Sequence, residues 1–107
     1  ILLMLRKKED MDNNPDKKQL LDGDWDKLFH LSNALHNDFI MRIKKEFPNL
    51  TKHDLEICCL LRFGITHDVL GLAFLTTSES VTKAKGRLKK RLNLSTSDDL
   101  DDFLRKY

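Results

Sequence analysis

Apolar residues recur along this chain at the three- and four-residue spacing of amphipathic helices. The pattern predicts a helix over residues 1–10, a polar linker over 11–24 and two helical segments over 24–47. The break at 36–38 separates these two segments, and Asn37 or Asp38 is expected to cap the second. Pro48 is expected to end it, because the residue before a proline avoids the helical conformation. The chain is therefore predicted to be all-α.

The most apolar segment, residues 55–63, is predicted to be the central and most buried helix. Thr51 and Asp54 have the spacing of a capping box before it, and Gly64 is expected to end it. A short helix is expected to start at Thr66, and its internal Gly71 suggests that another helix crosses closely there. The last helix is predicted to be capped by Thr96 or Ser97 and to pack through Leu100, Phe103 and Leu104.

Positive charge is concentrated in residues 78–92, where Ser78 is the predicted helix cap. One side of this helix is an apolar stripe of Val81, Ala84, Leu88 and Leu92. The opposite side carries Thr82, Lys83, Gly86, Arg87 and Lys90. At a rise of 1.5 Å per residue such a helix spans about 22 Å, which is enough to lie in a DNA major groove. Two short helices joined by a tight turn, the second of them basic, form a helix-turn-helix.

Charged residues make up 34% of the chain, but positive and negative charges nearly cancel, so the net charge is only +2. The two signs are separated along the sequence. A basic block at 83–91 is followed by acids at 98–102, which suggests an anionic partner for one face. The adjacent Cys58 and Cys59 are expected to be buried, reduced residues without zinc. The four histidines are scattered and accompany no catalytic arrangement, so we expect neither an enzyme nor a cofactor, metal or small-molecule substrate.

The first residues, Ile1 to Leu5 followed by Arg6, Lys7 and Lys8, contain neither a complete signal peptide nor a membrane span. They fit the tail of a transmembrane helix with a basic flank, a coiled-coil arm or an ordinary amphipathic helix end. These three alternatives remain open at this point. We expect a cytoplasmic location, with the full-length protein anchored to the inner membrane if the first alternative holds.

Residues 50–104 resemble the LuxR-type helix-turn-helix, the four-helix DNA-binding domain of many bacterial response regulators. The resemblance is carried by the order and spacing of the motifs Leu50-Thr51-x-x-Asp54, Ile65-Thr66-x-x-x-Leu70-Gly71, Ser78-x-Ser80-Val81, Arg87-Leu88-x-Lys90-x-Leu92-x-Leu94 and Leu100 with Phe103. It implies an N-terminal arm and linker (1–23), a helical extension packing on the domain (24–48) and the LuxR-type domain itself (49–107). The chain is also similar to a bacterial group in which this domain ends a longer sensor-like protein.

The resemblance implies a DNA-binding transcriptional regulator that places helix 78–92 in the major groove, as a homodimer on two half-sites. Thr82, Lys83 and Gly86 would face base edges, although related helices often have a contacting side chain where Gly86 stands. Arg87 and Lys90 would meet phosphates, together with Ser78 and Ser80 at the helix start. The alternative is a protein-interaction module that uses the same basic face on an acidic partner. A duplex-binding face would give an affinity for any DNA that falls steeply with salt, and a protein-docking face would not.

Overall fold

The computed structural model describes residues 22–107, which form six α-helices and no strand within that range. They are α1 (Asp22–Leu35), α2 (Phe39–Glu46), α3 (Lys52–Arg62), α4 (His67–Ala73), α5 (Ser78–Arg91) and α6 (Leu100–Lys106). The all-α prediction is confirmed for this part of the chain. The helix predicted over 1–10 and residues 11–21 of the predicted linker lie outside the described residues. The prediction is wrong for residues 22–24 of that linker, which belong to α1.

Helix α3 lies at the centre of the hydrophobic core and packs against α1, α2, α5 and α6. Seven of its eleven residues are buried. One is the capping Asp54, and the other six are apolar and occupy most of the circumference of the helix: Leu55, Ile57, Cys58, Cys59, Leu60 and Leu61. The two cysteines are free thiols with no exposed surface, as predicted. Burial raises the pKa of both, and that of Cys59 reaches about 12.

The two ends of α3 follow the local signals in the sequence. The Thr51 hydroxyl accepts from the N–H of Asp54 at 3.1 Å, and the Asp54 carboxylate accepts from the N–H of Thr51 at 2.9 Å. This is the predicted capping box. At the other end Gly64 has φ +84°, and the N–H of Ile65 donates to the carbonyl of Leu60 at 3.0 Å. Gly64 therefore ends α3, as predicted, and the structure adds that it does so in a Schellman motif.

The turn between α1 and α2 has two consecutive left-handed residues, Asn37 (φ 55°) and Asp38 (φ 58°), a conformation that Asn and Asp tolerate. Asp38 occupies the predicted N-cap position of α2, but its side chain forms no capping hydrogen bond, and Asn37 lies one residue before it. The carboxamide oxygen of Asn33 instead accepts from the N–H groups of Ile40 (3.0 Å) and Met41 (3.3 Å). A residue in the last turn of α1 thus satisfies the free donors of α2.

The turn between α4 and α5 explains why residue 71 is glycine. A Cβ atom there would lie 3.2 Å from the backbone oxygen of Thr76 and 3.9 Å from Cγ2 of Val81 on α5. The predicted close approach is present, but its nearest atom belongs to the turn rather than to the next helix. Leu75 takes the left-handed position (φ 47°) that glycine normally occupies after a helix.

Two predicted caps are displaced by one to three residues. Thr77 rather than Ser78 caps α5, since the Thr77 hydroxyl accepts from the N–H of Ser80 at 3.1 Å. The predictions of Thr96 or Ser97 as the cap of α6 are wrong, because Asp99 accepts from the N–H of the residue three positions on at 3.1 Å. In both places several adjacent residues are able to cap, and tertiary packing decides which of them begins the helix.

The remaining helices complete the same core. Trp25 of α1 is almost fully buried and stacks on Phe74 just after α4, with ring centroids 5.7 Å apart. The C-terminal Tyr107 packs edge-on against Phe39 of α2, and its carbonyl accepts from Arg42 at 2.9 Å. Among residues 22–107 no helix has the length and apolar character that crossing a membrane requires.

Candidate functional site

Helix α5 divides into a buried side and an exposed side. The four residues of the predicted apolar stripe are all buried in the core, with 8% exposure or less: Val81, Ala84, Leu88 and Leu92. Thr82, Lys83, Gly86, Arg87 and Lys90 are all exposed on the opposite side. We call these five residues the outer face of α5. The amphipathic pattern of the sequence therefore gives the orientation of this helix correctly.

Three of the six cations on α5 are used to hold the helix in place. Arg91 donates to both carboxylate oxygens of the buried Asp54 at 2.9 Å, which ties the end of α5 to the start of α3. Lys85 forms an ion pair with Asp101 of α6 at 2.9 Å, and Lys89 donates to the backbone oxygen of Thr96 at 2.9 Å. These cations are consequently already engaged within the fold.

The other three cations, Lys83, Arg87 and Lys90, point away from the core, and we call them the free cations. None of them forms a hydrogen bond or an ion pair with another residue of the described range 22–107. They are spaced four and three residues apart, so they lie on the same side of α5 and span about 10 Å along its axis. Unpaired cations in a row are suited to binding several negative charges of an extended ligand.

The hydroxyl groups near the start of α5 already have partners. Nε2 of His67 lies 2.9 Å from Oγ of Ser78 and 3.1 Å from its carbonyl oxygen. The Thr82 hydroxyl donates to that same carbonyl at 3.0 Å, and the Thr77 hydroxyl donates to Oγ of Ser80 at 3.2 Å. An external phosphate would have to share these groups. The contact from His67, eleven residues upstream, has no signal in the sequence.

A groove of about 720 Å³ runs between the outer face of α5 and the segment 94–101. Lys83, Gly86 and Lys90 line one wall, and acidic residues line the other. Asp98 accepts from the N–H of Ser95 at 2.7 Å. The hydrogen bond from the backbone N–H of Asp102 to the Asp99 carboxylate lowers the pKa of Asp99. The acids predicted to follow the basic block therefore lie beside the outer face and form a fixed, charged wall.

A second cavity, of about 330 Å³, lies where α1, α3, α4 and α5 meet. Trp25 and Phe74 form an aromatic wall there, and His53, Glu56 and Arg87 contribute polar groups. The His53 ring also packs edge-on against Phe74, with ring centroids 4.7 Å apart, and Nδ1 of His53 lies 3.3 Å from Oε1 of Glu56. Within the described part of the chain no three His, Cys, Asp or Glu side chains are grouped so that they could hold a metal ion.

Comparison of the chain with protein-family models, with curated proteins and with solved structures finds no match. The LuxR-type resemblance therefore rests on the order and spacing of the motifs in the sequence. The geometry itself supplies an exposed helix face with three free cations, flanked by an acidic wall.

Proposed function

We propose that residues 49–107 are a LuxR-type helix-turn-helix domain that binds double-stranded DNA. In this proposal α4 and α5 are the two motif helices, α3 and α6 complete the four-helix domain, and α5 enters the major groove. The observation that carries the proposal is the row of free cations on the exposed side of a helix whose other side is buried. The 14 residues of α5 span about 21 Å, the scale of a major-groove contact.

The free cations would have different tasks. Lys83, nearer the start of α5, would donate to acceptors on a base edge, for which guanine O6 and N7 are suitable. Arg87 and Lys90 would meet phosphates and fix the position of the helix along the duplex. Ser78 and Ser80 would share their hydroxyls with a phosphate at the helix start, and Thr82 and Gly86 would face the bases. Each phosphate contact releases counterions and adds to the salt dependence.

The test is the fluorescence anisotropy of a labelled random-sequence duplex at two salt concentrations. Wild type is compared with Lys83→Glu/Arg87→Glu and with a matched control, Lys44→Glu/Lys45→Glu, which changes the same charge at exposed positions of α2. Wild-type affinity should fall by about one log unit per log unit of salt for each phosphate contacted. The α5 variant should lose binding, whereas the α2 variant should retain most of it.

The acidic wall of the groove favours one alternative, a protein-interaction module that docks the same face on an acidic partner. The wall places carboxylates of Asp98 and Asp99 beside the surface where DNA phosphates would lie, and like charges repel. A partner protein can carry acids opposite the free cations and a few cations opposite this wall, whereas a uniformly anionic duplex cannot match both. Absence of duplex binding at low salt would contradict the DNA proposal and support this alternative.

We also propose that the active form is a homodimer, because a single small domain of this kind gains affinity by occupying two half-sites. Three apolar side chains of α1 and α2 are well exposed and are candidates for that contact: Leu31, Leu35 and Met41. Sedimentation equilibrium with the full chain should show a dimer, and a monomer at high concentration would count against it. DNA binding would require this segment to reach the chromosome, so we propose that it acts in the cytoplasm.

A further inference from the structure

Gly86 is a glycine that packing within the fold does not require. It lies inside the 14-residue helix α5, where glycine weakens a helix relative to alanine. A Cβ atom built at Gly86 would meet nothing within 4 Å. Gly71 provides the contrast, because a Cβ there would lie 3.2 Å from a backbone oxygen of the turn. Open space beside Gly86 means that alanine would fit the isolated protein without a clash.

The gap left by Gly86 lies in the middle of the outer face. Lys83 precedes it by three residues, and Arg87 and Lys90 follow it by one and four, so the free cations surround it. It also borders the groove beside α5. A bare helix backbone has a radius of about 2.3 Å, against about 5–6 Å with its side chains. A ligand held by the free cations can therefore approach the helix axis about 3 Å more closely at residue 86.

We infer that Gly86 is a specificity-determining position at which the edge of a thymine lies directly against the backbone of α5. This inference rests on the proposed DNA binding. Glycine has no side-chain donor or acceptor, so hydrogen bonding from a side chain cannot read a base there. The major-groove feature that is recognised without a hydrogen bond is the C5 methyl group of thymine. In the wild-type protein the thymine methyl group would fit into the gap against the backbone of α5. A side chain at residue 86 would fill the gap and exclude the methyl group.

The experiment begins with selection of duplexes from a random-sequence pool by the wild-type chain. In the enriched duplex each thymine is replaced in turn by deoxyuridine, which lacks only the methyl group. Affinities of wild type and Gly86→Ala are then measured for the enriched duplex, for each deoxyuridine-substituted duplex and for a duplex of scrambled sequence. The melting temperature of Gly86→Ala should rise by about 5 °C, because alanine favours the helix, and this shows that the variant is folded.

At one thymine, loss of the methyl group should weaken wild-type binding about fourfold, the value of one buried methyl group. The affinity of Gly86→Ala for the thymine duplex should be about tenfold lower than that of wild type, because the alanine and thymine methyl groups are forced into a close contact. Most of that loss should disappear on the deoxyuridine duplex, where the clash is relieved. On the scrambled duplex the variant should bind like wild type.

The outcomes separate this inference from the proposed function. If wild type selects a duplex that Gly86→Ala binds equally well, or if the variant loses the same factor on both duplexes, the role of Gly86 is overturned while DNA binding stands. If the pool yields no enriched sequence, the specificity role is likewise overturned. If wild type binds no duplex at all while Lys83→Glu/Arg87→Glu behaves identically, the proposed function falls and the inference falls with it.

Discussion

The ion pair between Arg91 and Asp54 joins the end of α5 to the start of α3, and breaking it should lower the free energy of unfolding by about 1–3 kcal/mol. Nη1 of Arg91 is 2.9 Å from both carboxylate oxygens, and the Asp54 side chain is only 3% exposed. Arg91→Met keeps most of the side-chain stem but leaves the buried carboxylate with the N–H of Thr51 as its remaining partner in residues 22–107.

The magnitude follows from the unequal exposure of the two partners. Removing one member of a fully buried pair costs about 3–5 kcal/mol, whereas an exposed pair contributes about 0–1 kcal/mol. The Arg91 side chain is 35% exposed, so water takes over part of the solvation when the pair is broken. Asp54 also lies in the first turn of α3, where the positive end of the helix offsets some of its charge. An intermediate cost is therefore expected.

The assay is a double-mutant cycle in urea with wild type, Arg91→Met, Asp54→Asn and the double variant. Asparagine keeps an oxygen for the N–H of Thr51 while removing the charge. The expected coupling energy is about 1–2 kcal/mol. The comparison pair is Lys106–Asp102, whose side chains are 75% and 44% exposed at 3.0 Å, and its coupling should be about 0.3–0.5 kcal/mol. A coupling for Arg91–Asp54 no larger than this would refute the reasoning.

Three further predictions concern the core and the turns. Gly71→Ala should lower the free energy of unfolding by about 1 kcal/mol, since the close turn carbonyl outweighs the gain in helix propensity; unchanged urea unfolding would contradict this. Cys58 and Cys59 should resist a thiol reagent at pH 8 until urea is added, and rapid native labelling would show that they are accessible. Burial, then Arg62, lowers the pKa of His36 from 6.5, so stability should fall as the pH drops below that value; His36→Gln should flatten this dependence in urea titrations.

Local signals in the sequence were sufficient for most of the helices. The apolar spacing of Val81, Ala84 and Leu88 gave the buried side of α5 because a helix has to place such residues in the core. Thr51 and Gly64 acted as expected because their interactions involve residues only a few positions away. Where neighbouring residues compete, as Thr77 and Ser78 do, the sequence could not identify the cap, because the choice depends on how α5 packs.

Contacts between distant residues were not predictable from the pattern. Asp54 and Arg91 are 37 residues apart, and nothing in either segment indicates that they meet. The six cations of α5 look alike in the sequence, and only the positions of α3, α6 and the loop before α6 determine which of them are engaged. The left-handed conformation of Leu75 was not predicted either, because glycine is the usual sequence signal for a left-handed residue after a helix and leucine is not.

The charged residues of α5 lie at positions where the helix ends and neighbouring groups stabilise them. Lys89, Lys90 and Arg91 lie in the last turn, where the negative end of the helix favours cations, and Glu79 lies in the first turn. The engaged cations neutralise carboxylates or cap a carbonyl, so they attach α5 to its neighbours while reducing repulsion along the helix. The cations that remain unpaired then lie on a helix that is attached to its neighbours by these contacts. A helix held by these contacts needs little backbone reorganisation before binding, and this is the property that the proposed interface requires.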